Sequence, residues 1–230
     1  MPPYIPGNHT EQVRPLTPGC SIGHWFGLGP GTLSFFGLWH GWVVGVSLRH
    51  VFYPRGTESS GEARIIQPAQ GDGPRDNNHV VMYRWGSQVP GVLPSEYAWA
   101  GLAYAMNVVT ERSELRRGFS LVLPGIGAIT GRMPAYVGQE VVGLGRTSGV
   151  ITGRITALDR EVPTGGGTEP LVWFRGLGAI NTIVQPGDSG MPLLDAATRR
   201  LVGVVQAVGP ESYFSHERYI PEDIQVLGAS

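Results

Sequence analysis

Short apolar stretches alternate with turn residues along the chain from residue 20 onward. The clearest of them are GTLSFFGL (31–38), GWVVGVSL (41–48), ARIIQP (63–68), HVVMYRW (79–85), EYAWAGLAYA (96–105), YVGQEVVGLGR (136–146), SGVITGRITALD (148–159), MPLLD (191–195) and RLVGVVQAV (200–208). Runs of this length, rich in β-branched and aromatic residues and bounded by glycine and proline, are typical of strands in small antiparallel barrels. The pattern predicts an all-β protein.

The most charged stretch, NVVTERSELRRG at 107–118, has little apolar periodicity, and we place a linker between two domains there. Residues 1–20 are rich in proline and polar side chains, which predicts an arm on the surface or capping one end of the fold. A first β-barrel is then expected over 21–112 and a second over 113–230. The last segment, ERYIPEDIQVLGA at 217–229, is compatible with a short closing helix.

Composition narrows the class of protein. The 230 residues include 35 glycines and 19 prolines, which fits many short strands joined by tight turns. The net charge of -1 gives no reason to expect a nucleic acid or an anionic membrane as a partner. The longest apolar run, WHGWVVGVSL at 39–48, is too short to span a bilayer. Cys20 is the only cysteine and the N-terminus lacks a signal-peptide pattern, so we expect no intramolecular disulfide and a cytoplasmic location.

The stretch VQPGDSGMPLLD, residues 184–195, places Ser189 in a Gly-Asp-Ser-Gly turn. A serine hydroxyl is protonated at neutral pH and needs a base beside it, most often a histidine. His50 directly follows an apolar strand, where the chain turns outward and delivers the side chain to a cleft. We expect the other histidines to be packed beside tryptophans or solvated in polar loops: packed for His24 and His40, solvated for His9, His79 and His216.

Four segments together resemble the trypsin-like serine peptidases of the chymotrypsin fold: GTLSFFG, VVGVSLRHVF, QPGDSGMPLLD and RLVGVVQAVG. The stretch VGLGRTSGVITGRITALD further resembles the disulfide-free intracellular bacterial branch, which is related to the plant narrow-leaf type proteins. The resemblance implies two six-stranded antiparallel barrels. It also implies that Ser189 attacks a substrate carbonyl while His50 takes and returns the proton. The backbone N–H groups of Gly187 and Ser189 would form the oxyanion hole, with Asp188 a structural member of the turn.

The third member of the triad departs from the family pattern. The family's acid begins a strand midway between histidine and serine, and Ala98 occupies that place before WAGLA. Glu96 lies on the same strand face but would need a bulge to reach His50, and Asp76 in a long loop is a second candidate substitute. Loss of the triad acid costs about 10⁴-fold in kcat, or roughly 5 kcal/mol.

Two explanations fit an intact serine and histidine beside a missing acid. A natural pseudoprotease would not be obliged to keep both, so we favour an engineered Asp-to-Ala change at position 98 that inactivates the enzyme. Three functional classes stay open: a serine endopeptidase in an acid-deficient form, a non-catalytic module that holds a peptide or protein by edge pairing, and a serine esterase or self-cleaving protein.

Substrate preference follows from the resemblance alone. It implies that Ile183 forms the floor of the primary pocket, with walls from Gln206, Ala207 and Val208. Since these residues include no acid, we expect an apolar P1 side chain on a protein or peptide substrate. The hairpin at 145–158 is interpreted as structural, which disfavours a role for its Arg146 or Thr147. No metal-site spacing or phosphate-binding loop is present in the sequence, so we expect no cofactor.

Overall fold

The structure is a computed structural model that describes residues 10–13, 15–26, 29–52, 64–73, 80–83, 104–109, 119–164, 172–208 and 211–228. These residues form sixteen β-strands, one single-turn α-helix, α1 (Arg49–Phe52), and a 3-10 turn at Glu217–Tyr219. The all-β prediction is confirmed.

The first region is an antiparallel sheet of eight strands. Their bounds are β1 (Ser21–His24), β2 (Gly31–Thr32), β3 (Phe35–Trp39), β4 (Trp42–Leu48), β5 (Arg64–Ile66), β6 (Val80–Tyr83), β7 (Tyr104–Val109) and β16 (Gln225–Val226). The order across the sheet is β16-β3-β4-β7-β6-β5-β1-β2. The expected six strands are therefore extended at the two edges by the two-residue strands β2 and β16.

Strand β4 leads directly to the candidate histidine and is buried on both faces. Val44, Val46 and Leu48 are each at most 1% exposed and lie in the core shared by the two regions. The small residues Gly45 and Ser47 alternate with them and are also buried, because the second region approaches this face closely. Continuous burial of this kind explains why the strand reads as an apolar run rather than as an alternating one.

The second region is a closed six-stranded barrel. Its strands are β10 (Glu140–Gly145), β11 (Gly149–Thr164), β12 (Val172–Ile180), β13 (Pro192–Asp195), β14 (Leu201–Val208) and β15 (Ser212–His216), in the order β10-β11-β12-β15-β14-β13. A separate hairpin joins β8 (Val122–Leu123) to β9 (Gly127–Ala128). The six strands and closure agree with the barrel that the resemblance implies.

Strand β15 corrects one expectation. Its sequence, SYFSH, reads as polar, yet all five residues are buried. His216 is 3% exposed, and its Nε2 lies 2.9 Å from the Leu158 carbonyl oxygen, to which it donates as the neutral N–H. The prediction of a solvated His216 was wrong because its ring is buried and finds a backbone acceptor in the Leu158 carbonyl. The prediction for His24 holds, since it is 1% exposed within β1, whereas His40, in the turn between β3 and β4, is exposed rather than packed as predicted.

The chain ends and the predicted linker also differ from expectation. Leu16, in the predicted arm, is fully buried in the shared core, so the arm does not lie wholly on the surface; that it caps one end of the fold stays a prediction. Residues 107–109 belong to strand β7, so the strand enters the stretch assigned to the linker, and 110–118 lie outside the described residues. In place of a closing α-helix, the C-terminal segment has the 3-10 turn and then β16, which pairs with β3.

No helix among the described residues is long and apolar enough to cross a membrane. Within the same residues, no group of three or more histidine, cysteine, aspartate or glutamate side chains could hold a metal ion.

Candidate active site

His50 lies in the single turn of helix α1, immediately after β4. The helix is anchored by Val51 and Phe52, which are 3% and 0% exposed, whereas His50 is exposed. No described residue forms a hydrogen bond with its ring. Desolvation by the surrounding protein, the larger cause, and repulsion by Arg49 lower the pKa of His50 from its ordinary value. This direction favours the neutral imidazole, which can accept a proton.

Ser189 lies in a tight loop between β12 and β13. Gly187 and Gly190 adopt φ values of 101° and 97°, a conformation that favours glycine. A Cβ on Gly187 would stand 2.5 Å from Thr147 Oγ1, and one on Gly190 would stand 2.1 Å from the Thr32 carbonyl oxygen. Both glycines of the Gly-Asp-Ser-Gly turn are therefore required by φ and by close approach.

The backbone N–H groups of this loop divide into two sets. The Asp188 amide donates to the Gln185 carbonyl at 3.0 Å, the Gly190 amide to Val205 at 2.9 Å, and the Met191 amide to Asp188 at 2.8 Å. The amides of Gly187 and Ser189 donate to no residue that the structure describes. Two neighbouring donors in a loop otherwise engaged are the arrangement that can stabilise an oxyanion.

Asp188 is fully buried and its carboxylate is satisfied by the surrounding backbone. Oδ1 accepts the amides of Thr147 and Ser148 at 2.8 and 3.0 Å, and Oδ2 accepts the Gln185 amide at 2.8 Å and the Ser148 hydroxyl. Three backbone N–H groups and a hydroxyl compensate the desolvation of a buried carboxylate. This placement agrees with a structural role for Asp188 in the turn.

The histidine strand and the serine loop meet at Thr32 of β2. The Thr32 amide donates to the Ser189 carbonyl at 2.8 Å, and its own carbonyl accepts the Ser47 hydroxyl of β4 at 2.8 Å. A Cβ on Gly31 would lie 2.4 Å from a Val51 methyl and 3.0 Å from the Ser189 carbonyl oxygen. The residue after His50 and the backbone of Ser189 thus face the same point, and no signal in the sequence singled out Thr32 or Ser47.

Comparisons with known proteins give one relative in sequence and several similar structures. No family model matches the chain. Serine protease 2 from Streptomyces fradiae is 43% identical over 70 residues, which is 30% of this chain and 38% of that protein. The match therefore spans less than two thirds of that relative.

Solved structures match over nearly the whole chain. Thermobifida fusca protease A gives a TM-score of 0.64 at 18% identity, covering 93% of this chain and 99% of that one. The fold is that of the chymotrypsin-like serine proteases. Nocardiopsis protease gives a TM-score of 0.61 at 14% identity, covering 92% and 98%. Cellulomonas bogoriensis chymotrypsin gives 0.59 at 19% identity, covering 93% and 99%. The resemblance to trypsin-like serine peptidases is confirmed, and the likeness to the intracellular branch stays a prediction.

The acid of a chymotrypsin-like triad is not among the residues brought together here. Ala98, Glu96 and Asp76 all lie outside the described residues. Within the described residues, no carboxylate is hydrogen-bonded to His50. The assignment of position 98 stays a prediction.

The predicted pocket residues differ in their exposure and in their position on the strands. Ile183 is 61% exposed, which is more than the floor of a closed pocket would be. Gln206 is 5% exposed and occupies a bulge of β14. Ala207 and Val208 continue β14 and pair with β15. The high exposure of Ile183 weakens its assignment as a floor, and the pocket as a whole stays a prediction.

Proposed function

We propose that this chain is a trypsin-like serine endopeptidase that acts through Ser189 and His50. The observation that carries the proposal is the state of the serine loop. Gly187 and Ser189 have amides with no described acceptor, while the amides of Asp188, Gly190 and Met191 are engaged. Donors left free in a rigid loop cost no reorganisation when charge develops beside them.

In the proposed reaction, Ser189 Oγ bonds to the carbonyl carbon of the substrate while His50 takes the hydroxyl proton. The carbonyl oxygen becomes an oxyanion and accepts the N–H groups of Gly187 and Ser189. The intermediate collapses to an ester on Ser189 as His50 gives its proton to the leaving amine. Water then attacks the ester, with His50 again as the base, and releases Ser189. The lowered pKa of His50 favours the neutral form that the first step needs.

The missing acid sets the rate that we expect. With alanine at position 98, no aspartate there would hold the His50 tautomer and ring orientation or stabilise the imidazolium. The proposal is therefore that this form carries an inactivating Asp-to-Ala change and keeps residual activity, about 10⁴-fold below an intact triad. Glu96 and Asp76 are the alternative sources of a carboxylate.

A second candidate is a natural pseudoprotease that binds a peptide strand. The described part of β14 favours it as an alternative: its pairing with β13 ends at Val204, while it continues beside β15 to Val208. The edge left beyond Val205 could accept an extended chain by backbone hydrogen bonds. A serine esterase or a self-cleaving protein uses the same serine chemistry and differs in substrate.

Labelling with a fluorophosphonate tests the nucleophile directly. We expect the parent chain to label slowly at Ser189, the Ala98→Asp variant to label much faster, and Ser189→Ala in either background to be unlabelled, with the site read by peptide mass spectrometry. His50→Gln should slow labelling without changing its site. If the Ala98→Asp variant is folded and unlabelled, Ser189 is not a nucleophile.

Substrate assays separate the alternatives. Hydrolysis of peptides by Ala98→Asp supports the endopeptidase, and hydrolysis of esters alone supports the esterase. A self-cleaving protein is recognised by loss of intact mass with time. Saturable binding of peptides with no turnover in either form supports the pseudoprotease and contradicts the endopeptidase proposal.

A further inference from the structure

Arg146 begins the turn between β10 and β11, and its side chain reaches back to the first region. Its Nε donates to Asp72 Oδ2 at 2.7 Å and its second terminal nitrogen donates to Oδ1, so the contact is bidentate. The side chains are 17% and 5% exposed. Asp72 Oδ2 also accepts the Ser21 hydroxyl at 2.6 Å. A shielded bidentate pair with a further hydrogen bond is both stronger and more directional than a surface ion pair.

The same guanidinium contacts the residue beside the serine loop. Arg146 Nη1 donates to Thr147 Oγ1 at 2.9 Å, and that hydroxyl donates to the Pro186 carbonyl at 2.8 Å. The Pro186 carbonyl and the Gly187 N–H belong to one planar trans peptide and point in opposite directions. A hydrogen bond that holds the carbonyl therefore also sets the direction of the Gly187 N–H.

The next peptide of the loop, between Gly187 and Asp188, is also held by hydrogen bonds next to Arg146. The Arg146 amide donates to Thr32 Oγ1 at 3.0 Å, and that hydroxyl donates to the Gly187 carbonyl at 3.0 Å. A Cβ on Gly187 would stand 2.5 Å from Thr147 Oγ1 and 2.9 Å from Arg146 Nη1. Both peptides that flank Gly187 thus accept hydrogen bonds from hydroxyls beside Arg146, and the space next to Gly187 on that side is occupied by Thr147 and Arg146.

We propose that the Arg146–Asp72 ion pair is a positioning pair for the oxyanion hole and that it fixes the direction of the Gly187 N–H through the Thr147 hydroxyl. The inference rests on the proposed function, since it assigns the Gly187 N–H to an oxyanion. It also makes a donor in the second region depend on a carboxylate in the first. The sequence favours a structural role for this hairpin, whereas the proposal gives its Arg146 and Thr147 a positioning role.

The test is fluorophosphonate labelling of the full chain carrying Ala98→Asp, with the saturation constant and the maximal rate measured separately. Arg146→Gln and Thr147→Val should each lower the maximal rate about tenfold, because a displaced donor stabilises the oxyanion less well. The saturation constant should change less than about twofold, because reagent binding does not use this donor. Arg146→Lys should recover part of the rate.

The matched control is Arg154→Gln. Arg154 lies on the same hairpin and pairs with Glu140 at 3.0 Å, but the two side chains are 59% and 70% exposed and do not contact the serine loop. Its labelling rate should stay within about twofold of the background, as expected for an exposed pair. The Arg146→Gln/Thr147→Val double variant should be no slower than the slower single variant, because both act through one hydrogen bond.

The amide resonance of Gly187 gives a readout that does not depend on reactivity. It should shift in Arg146→Gln and Thr147→Val and stay in place in Arg154→Gln. The inference is overturned if folded Arg146→Gln and Thr147→Val label at the background rate, or if their losses multiply in the double variant. It is also overturned if neither Arg146→Lys nor Thr147→Val folds, because the role is then structural. Failure of the Ala98→Asp background itself to label contradicts the proposed function instead.

Discussion

The two halves of the candidate site are built in different ways. In the serine loop, the Asp188 carboxylate accepts backbone and hydroxyl donors from two segments, and the amides of Gly187 and Ser189 are left without a described acceptor. His50 is exposed, is repelled by Arg49, and has no hydrogen bond to a described residue. The serine loop is held by hydrogen bonds from both regions, since Thr32 of β2 contacts Gly187 and Ser189 and Asp188 accepts donors from the second region. In the proposed function, His50 would need a carboxylate from a third segment, at the position where the sequence has Ala98.

The largest effect should come from completing the histidine half. Ala98→Asp is expected to raise kcat for peptide hydrolysis by about 10⁴-fold, because an aspartate would hold the imidazole in one tautomer and stabilise the imidazolium. Steady-state kinetics on a peptide substrate measures this. Ala98→Asn is the matched control, since it adds the volume without the charge. An increase of less than about tenfold would mean that the acid lies elsewhere or that the site is not catalytic.

A smaller effect, a loss of labelling rate, should come from a substitution in the serine loop. Gly187→Ala in the Ala98→Asp background should lower the labelling rate by about 10²- to 10³-fold, which is the cost of losing one oxyanion donor. The reason is a φ of 101° together with a Cβ placed 2.5 Å from Thr147 Oγ1.

Gly149→Ala is the control for strain alone. Gly149 also has a positive φ, 67°, but a Cβ there meets nothing within 4 Å. This variant should lose about 1 kcal/mol of unfolding free energy and keep its labelling rate. Equal losses of rate in the two variants would show that loop strain, and not the oxyanion donor, controls labelling.

The pH dependence of labelling should differ between the parent chain and the Ala98→Asp variant. Labelling needs neutral His50, so its acid limb in the parent chain should fall below the ordinary value of 6.5. The folded chain binds this proton less tightly than the unfolded chain, so stability from this group decreases as pH falls below 6.5 toward the folded value. Ala98→Asp should raise the pKa of His50 and move the acid limb to higher pH.

The smallest shift should come from Arg49→Gln, which removes the repulsion, the smaller of the two causes, and so raises the pKa of His50 only slightly. The midpoint of the acid limb measures each of these changes. A parent midpoint at or above 6.5 would contradict the environment described for His50.

The strands could be predicted wherever their own residues carried the signal. Strand β4 has apolar side chains on one face and the small residues Gly45 and Ser47 on the other. The sequence predicts its bounds almost to the residue. Strand β15 was missed because Ser212 and His216 find their hydrogen-bond partners in distant segments. No local pattern distinguishes a buried and satisfied polar residue from a solvated one.

The candidate site shows the same difference between features set by local sequence and contacts between distant residues. The loop around Ser189 is a local motif, and both of its glycines have the backbone conformation that the motif requires. The contact of Thr32 with Gly187 joins residues 155 positions apart, and that of Arg146 with Asp72 joins residues 74 apart. Pairings this distant appear only when the two regions are packed together, so the sequence favoured a merely structural hairpin.

The amides of the serine loop provide the most direct test of the central claim. A peptide boronic acid should bond to Ser189 Oγ and form a tetrahedral anion whose oxygen occupies the oxyanion position. In amide nitrogen–proton spectra of the Ala98→Asp variant, the signals of Gly187 and Ser189 should move downfield on addition of the boronate, because these amides gain a charge-assisted hydrogen bond. The signals of Gly190 and Met191 should change little, since their amides already donate to Val205 and Asp188. Adduct formation at Ser189 with no change at Gly187, or no adduct at all, would contradict the account.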